Sequence, residues 1–289
     1  MLAQNLSITT PFVSAGVFLQ PPKYAIADLA PAEKTAGQTG LIQSYADHAY
    51  PQSACGSSTT NLQSLQSHAN IVNFVKGFAP EIAAARAQGI DHVFGETNSA
   101  TCGGGGISPT FGAALWIVDY VLQSVRAGSK RLYFHQGTIG NCKSIGWGRY
   151  SMGNPYYGAV LATRALAGIS QVTQLDDGTS DYAAYGLYAG TTLARVLLIN
   201  TQYYTSGTRP TQAFTLTNLP GSTGSGIRLT AASSTARADQ GSPATVGRVS
   251  YQDGTCAASG SFQTEATAIS GGSATFTVAA SEALLVEIS

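Results

Sequence analysis

Charge is what this sequence has least of. Only 10% of its 289 residues are Asp, Glu, Lys or Arg, against about 25% in an ordinary soluble domain. The 15 basic and 15 acidic side chains cancel, and none cluster into a run of one sign, which argues against an electrostatic grip on nucleic acid or on an anionic membrane surface. Long apolar runs are missing as well: no stretch reaches the roughly 20 residues of a spanning helix. The start, MLAQNLSITTPFVSAG, has no basic region followed by an apolar core, so the chain as written carries no export signal. Close cysteine pairs and His-Glu-x-x-His spacing are also absent, and the four histidines are scattered. No metal, nucleotide or other cofactor is therefore expected.

With charge so scarce, Ser, Thr, Gly, Gln and Asn must solvate the surface, a composition that suits an extracellular protein. Cys55, Cys102, Cys142 and Cys256 are an even number at wide spacing, consistent with one or two disulfides whose pairing the spacing does not fix. A bridge from Cys102 to Cys142 would tie two neighbouring loops, with Cys55 as the competing partner. The sequence gives no reading of oligomeric state.

Two rhythms divide the chain. From Leu41 to Gly168 short apolar runs alternate with helical periodicity. LIQSYADHAY, IDHVFGE and RLYFHQG read as strands. Between them lie helical segments, one with Leu62, Leu65, Ala69, Val72 and Val75 in step and a restart at Pro80. Two more have cap signals: Ser108 with Pro109 before FGAALWIVDYVLQSVRAG, and Asn154 with Pro155 before YYGAVLATRALAG. Such repetition predicts parallel βα units. Beyond Gly168 lysine has vanished and short alternating runs take over (TTLARVLLIN, TQAFTLTNL, GIRLTAAS, SATFTVAA, ALLVEIS), which predicts an antiparallel β-sandwich.

In parallel βα units the C-terminal strand ends and the loops after them form one ligand-binding rim. Glu96 lies there, between a short apolar run and the loop Gly103 to Gly106, in a chain with few carboxylates to spare. His48 and Tyr50 follow the first strand, and His135 and Gln136 the third. Structural roles compete for each: histidines and tyrosines at strand ends are often plain hydrogen-bonding groups, and a glycine run is often only a flexible loop. Asp47, the one other carboxylate nearby, alternates to the opposite side of its strand from His48, which disfavours it as a proton donor. Asn98 could bond a ligand or cap the loop.

GETNS with its glycine loop, the SPTFGAALWIVDYVLQ helix, the YFHQG strand, NPYYG and the terminal ALLVEIS together resemble glycoside hydrolase family 79, the β-glucuronidase and heparanase group, most closely its fungal members. The resemblance runs through nearly the whole chain and is weakest over the first 40 residues. It implies an α/β plus β fold: the C-terminal half of a (β/α)8 TIM barrel over residues 1–168, holding strands from about five or six to eight, then a C-terminal β-sandwich domain over 169–289. It further implies a secreted retaining β-glucuronidase acting on a terminal β-glucuronosyl linkage, with Glu96 as nucleophile and Tyr50 orienting it. Gly103 and Gly104 would hold the sugar carboxylate through backbone amides, although Thr101 replaces the tyrosine that accompanies them in bacterial members. His48, His135 and Trp147 are the remaining candidates for sugar contact. Tyr156 and Tyr157, in the first turn of a helix, are expected in the core.

The family's acid/base is a glutamate preceded by asparagine, and no Asn-Glu dipeptide occurs in this sequence. A complete barrel also needs about 250 residues. The expectation is a truncated chain, inactive alone. The alternative function is a non-catalytic carbohydrate-binding or cell-wall protein.

Overall fold

The computed structural model describes residues 8, 10–136, 147–148, 151–252 and 255–289. Its first main elements are β1 (Val13–Leu19), α1 (Ile26–Thr35), β2 (Ile42–Ala49), α2 (His68–Lys76), α3 (Ala79–Ala87), β3 (Asp91–Thr97), α4 (Phe111–Ala127), β4 (Arg131–Phe134) and α5 (Asn154–Leu166). Then come β5 (Gln171–Gln174), β6 (Tyr182–Ala189), β7 (Thr192–Asn200), β8 (Thr211–Leu216), β9 (Thr223–Thr230), β10 (Glu265–Ala268), β11 (Ala274–Ala279) and β12 (Glu282–Ile288). Contacts divide the chain into two compact units, one of Met1–Tyr50, Phe74–Asn98 and Ala127–His135, the other of Pro51–Asn73, Ser99–Arg126 and Gln136–Ser289.

The first unit is a parallel sheet in the order β1-β2-β3-β4. Ile42 and Tyr45 of β2 pack with Ile26 and Ala30 of α1 and Ala85 of α3 in one apolar cluster. The start of α1 has no capping side chain of its own. Glu81, buried on α3, takes that part by accepting the backbone N–H groups of Ile26 and Ala27. Burial pushes its carboxyl above the usual range despite those bonds. Asp47 is also fully buried and bonded to His92 Nε2 at 3.1 Å.

The second unit is built on an antiparallel sheet in which β9, β12, β7, β6 and β5 are successive neighbours, with β10 also pairing with β9. Alternate residues of its central strands enter two separate cores, as the two-residue period of a strand requires. Leu197, Ile199, Ala283 and Leu285 join Phe111, Leu115, Tyr157 and Leu161 of α4 and α5. Val196, Leu198, Leu284 and Val286 join Phe276 and Val278 of the β8–β11 pair. The sheet thus carries helices on one face and a strand pair on the other. Helix α4 is buried along nearly all its length, with Asp119 and Gln123 hydrogen-bonded inside the fold. Among the described residues no helix is long and apolar enough to cross a membrane.

Two caps differ from expectation. Helix α4 starts at Phe111, and its capping oxygen belongs to Thr110, which accepts from Ala113 N at 3.4 Å; Ser108 Oγ is engaged with Ser99 instead, at 2.5 Å. At α5 the cap position falls on Gly153. Asn154 turns its amide to the 236–244 loop, donating to Ala236 O at 2.7 Å and accepting from Ala244 N at 2.8 Å. These bonds across more than 80 residues outweigh a local cap. Tyr157 is fully buried, and its hydroxyl accepts from Tyr251 N.

Helices α4 and α5 meet at Gly158, where an added Cβ would stand 2.2 Å from the Ala114 carbonyl oxygen. Backbone cannot yield as a flexible side chain can, so Gly158→Ala should lower unfolding stability by about 2–3 kcal/mol in a urea titration.

Candidate active site

Strand β3 carries the site, and a local irregularity sets its aim. Asp47 pairs with Phe94 and His48 with Glu96, so Gly95 is an extra residue in β3. An ideal Cβ at Gly95 would lie 3.1 Å from Ala46 Cβ, which explains a glycine at a bulge that re-aims the following side chain. Thr97 then closes the register. Its hydroxyl donates to Ala49 O at 2.6 Å, its carbonyl accepts from His135 N at 2.9 Å, and Asn98 Nδ2 donates to His135 O at 2.9 Å. Nothing in the sequence pattern marks Thr97 for this task, and the bond from Asn98 to the His135 carbonyl is neither of the two roles expected of it.

Those ties gather four expected residues. Tyr50 donates its hydroxyl to Glu96 Oε1 at 2.6 Å, a charge-assisted distance. His48 Nδ1 lies 3.9 Å from Oε1 and His135 Nδ1 lies 3.7 Å from Oε2, too long for hydrogen bonds. The Glu96 side chain is 35% exposed, so it is reachable without being loose in solvent. Burial, with the hydrogen bond and charge of Glu96, pushes the Tyr50 phenol well above its ordinary value. Tyr50 therefore remains a donor across the whole working pH range.

The other expected residues belong to the second unit or are partly outside the description. Gly103 and Gly104 belong to the second unit, with φ of 80° and 79°, left-handed values that glycine accepts without strain. Their loop is tied by a disulfide from Cys55 to Cys102. Thus Cys55, the competing partner, takes Cys102, and the Cys102 to Cys142 pairing is corrected; Gln52–Ser53 pairs with Ala100–Thr101 and brings the two cysteines side by side. Cys142 lies outside the described residues. Trp147 begins a two-residue strand paired with Ser151–Met152, and its side chain lies outside the description. Asp47 is buried against His92 and is no proton donor at the rim. Among the described residues no group of three or more His, Cys, Asp or Glu could hold a metal ion.

The family model described as the glycosyl hydrolase family 79 C-terminal beta domain matches residues 184–285. Those residues match a family 79 β domain. The family 79 resemblance extends beyond it. A β-glucuronidase of Neurospora crassa is 31% identical over 185 residues, 56% of this chain and 33% of the relative. One from Aspergillus niger is 32% identical over 183 residues, 58% and 33% respectively. A 4-O-alpha-L-rhamnosyl-beta-D-glucuronidase from Fusarium oxysporum, solved as its Rha-GlcA complex, is 52% identical with a TM-score of 0.94, covering 99% of this chain and 62% of that one. The chain therefore spans about a third of the curated relatives it matches and under two thirds of the solved one.

Proposed function

We propose that the chain is the part of a retaining β-glucuronidase that carries the nucleophile, with the parallel sheet forming barrel strands from about five to eight and residues 169–289 the β-sandwich domain. The hydrogen bond from Tyr50 to Glu96 carries this reading, since a partly exposed carboxylate oriented by a permanent donor is what a covalent glycosylation step needs. Tyr50 occupies Oε1, leaving Oε2 to attack the anomeric carbon. The glycosidic C–O bond breaks as the ester forms, and water later hydrolyses the ester. His48 and His135 flank the carboxylate and are assigned to the sugar's hydroxyls; on the family resemblance alone, Gly103 and Gly104 are assigned to the uronic carboxylate and Trp147 to stacking on a sugar face. No cofactor enters. The names of the relatives favour a glucuronoside as substrate and a rhamnosylated glucuronoside as the first natural compound to assay.

Retaining hydrolysis also needs a second carboxyl about 5–5.5 Å from the nucleophile to protonate the leaving oxygen, and no described residue is assigned to that task. The test therefore uses an aglycone that departs without a proton. Dinitrophenyl β-glucuronide should release dinitrophenolate and leave a glucuronosyl ester on Glu96, seen by peptide mass spectrometry. An ester on another residue would refute the assignment, and affinity without release would favour a carbohydrate-binding protein. Tyr50→Phe should slow the release about 10- to 100-fold while leaving the melting temperature nearly unchanged.

A further inference from the structure

We propose that the β domain carries a second ligand site, a groove for a neutral oligosaccharide, independent of Glu96. It lies among the turn after β5, the first residues of β6 and strand β8, the outer member of its pair, and has a volume of about 590 Å³. That is within the range of roughly 300–1,000 Å³ common to small-molecule sites.

Its walls combine the two features that a sugar ring requires. Tyr182 and Phe214 stand with ring centroids 6.2 Å apart and planes at 89°, so together they present an aromatic face and an edge. Leu175, 47% exposed, extends the apolar wall. A pyranose has a flat C–H face that packs on such a surface and a rim of hydroxyls that needs both donors and acceptors. Asp177, Ser180 and Gln212 line the same groove and supply both. Asp177 uses Oδ1 for the turn, where it accepts from Thr179 N and Oγ1, and Oδ2 retains acceptor capacity.

Charge selects the class of sugar. Asp176 and Asp177 line the groove, and no Lys, Arg or His does. The Asp176 carboxylate is countered by His68 behind it at 2.9 Å, whereas Asp177 has no cation beside it in the groove wall. A uronic acid or phosphate would meet an unopposed carboxylate, and a neutral ring would not. The groove thus differs in ligand class from the glucuronide assigned to Glu96.

The experiment is calorimetric titration of the full chain with cellohexaose, xylohexaose and mannohexaose, with hexagalacturonate as the charged control. At least one neutral hexasaccharide should bind, and Tyr182→Ala should weaken it about tenfold. Gln212→Ala and, at an exposed position, Leu175→Asp should weaken it severalfold and keep the test decisive if Tyr182→Ala does not fold. Glu96→Gln should bind as the parent does, which separates this site from the catalytic reading. The proposal is overturned if none of the three neutral sugars binds, if hexagalacturonate binds equally well, or if binding follows Glu96 rather than the groove variants.

Discussion

Glu96→Gln should release dinitrophenolate from dinitrophenyl β-glucuronide at least about 10³-fold more slowly than the parent chain. The amide has the shape of the carboxylate and keeps a carbonyl oxygen to accept from Tyr50, whose hydroxyl stands 2.6 Å from Oε1. Packing and register at the β3 bulge are therefore left as they are, and unfolding stability should stay within about 0.5 kcal/mol. What disappears is the anionic oxygen that forms the ester. The aglycone needs no proton, so the loss cannot be ascribed to a general acid. A smaller variant, Glu96→Gly, gives the converse result: azide can enter the vacated space and attack the same carbon, restoring release and yielding the α-glucuronosyl azide. Parent-like release by the Gln variant, or azide rescue with retention, would remove Glu96 from the mechanism.

The site was legible because its main parts are local. His48 lies near the end of β2 and Tyr50 directly after it, Glu96 lies near the end of β3 and His135 directly after β4, and each strand was visible as a short apolar run with a breaker after it. The bulge at Gly95 was not legible, since a glycine in a strand signals an irregularity without saying which side chain it turns. Strand β1 and helix α1 went unseen for another reason. Pro31 lies inside α1, and the start of α1 is capped from α3 by Glu81, 55 residues away. Strand β6 is buried on both faces through Ala183 to Leu187, so it lacks the polar alternation that betrays a half-buried strand. The expected caps Ser108 and Asn154 are satisfied by Ser99 and by the 236–244 loop, partners that no local pattern contains. The Cys55 pairing likewise follows from a two-residue bridge between distant segments.

Removing the imidazole of His68 should cost about 3–5 kcal/mol of unfolding stability, because it strands two carboxylates around a buried cavity. His68 is fully buried, with Nδ1 at 2.7 Å from Asp119 Oδ2 and Nε2 at 2.9 Å from Asp176 Oδ1. Each ring nitrogen faces a carboxylate oxygen, so both donate and the ring is an imidazolium. The carboxylates are held in turn: Tyr185 donates its hydroxyl to Asp119 Oδ1, and Asp176 Oδ2 accepts from Ala184 N at 2.8 Å. Burial lowers the pKa of His68, but Asp119 and Asp176 outweigh it, and the ring is pushed from 6.5 up to about 10. Burial raises Asp176, but the bonds from His68, Ala184 N and Gln174 prevail and bring it from 3.8 down to about 2. The linkage signs follow. The raised histidine contributes stability that is complete below pH 6.5 and is lost as pH climbs through about 10. The lowered aspartate contributes stability that is complete above pH 3.8 and is lost as pH falls through about 2. Urea titrations of the parent chain should therefore show a plateau between those inner values and a decline on both sides. His68→Gln should lower the plateau and flatten the decline between pH 6.5 and about 10, since the imidazolium that loses its proton over that interval is gone. An alkaline limb that persists unchanged in His68→Gln would show that the ring is not the cation of this cluster, and that the two carboxylates are balanced in some other way.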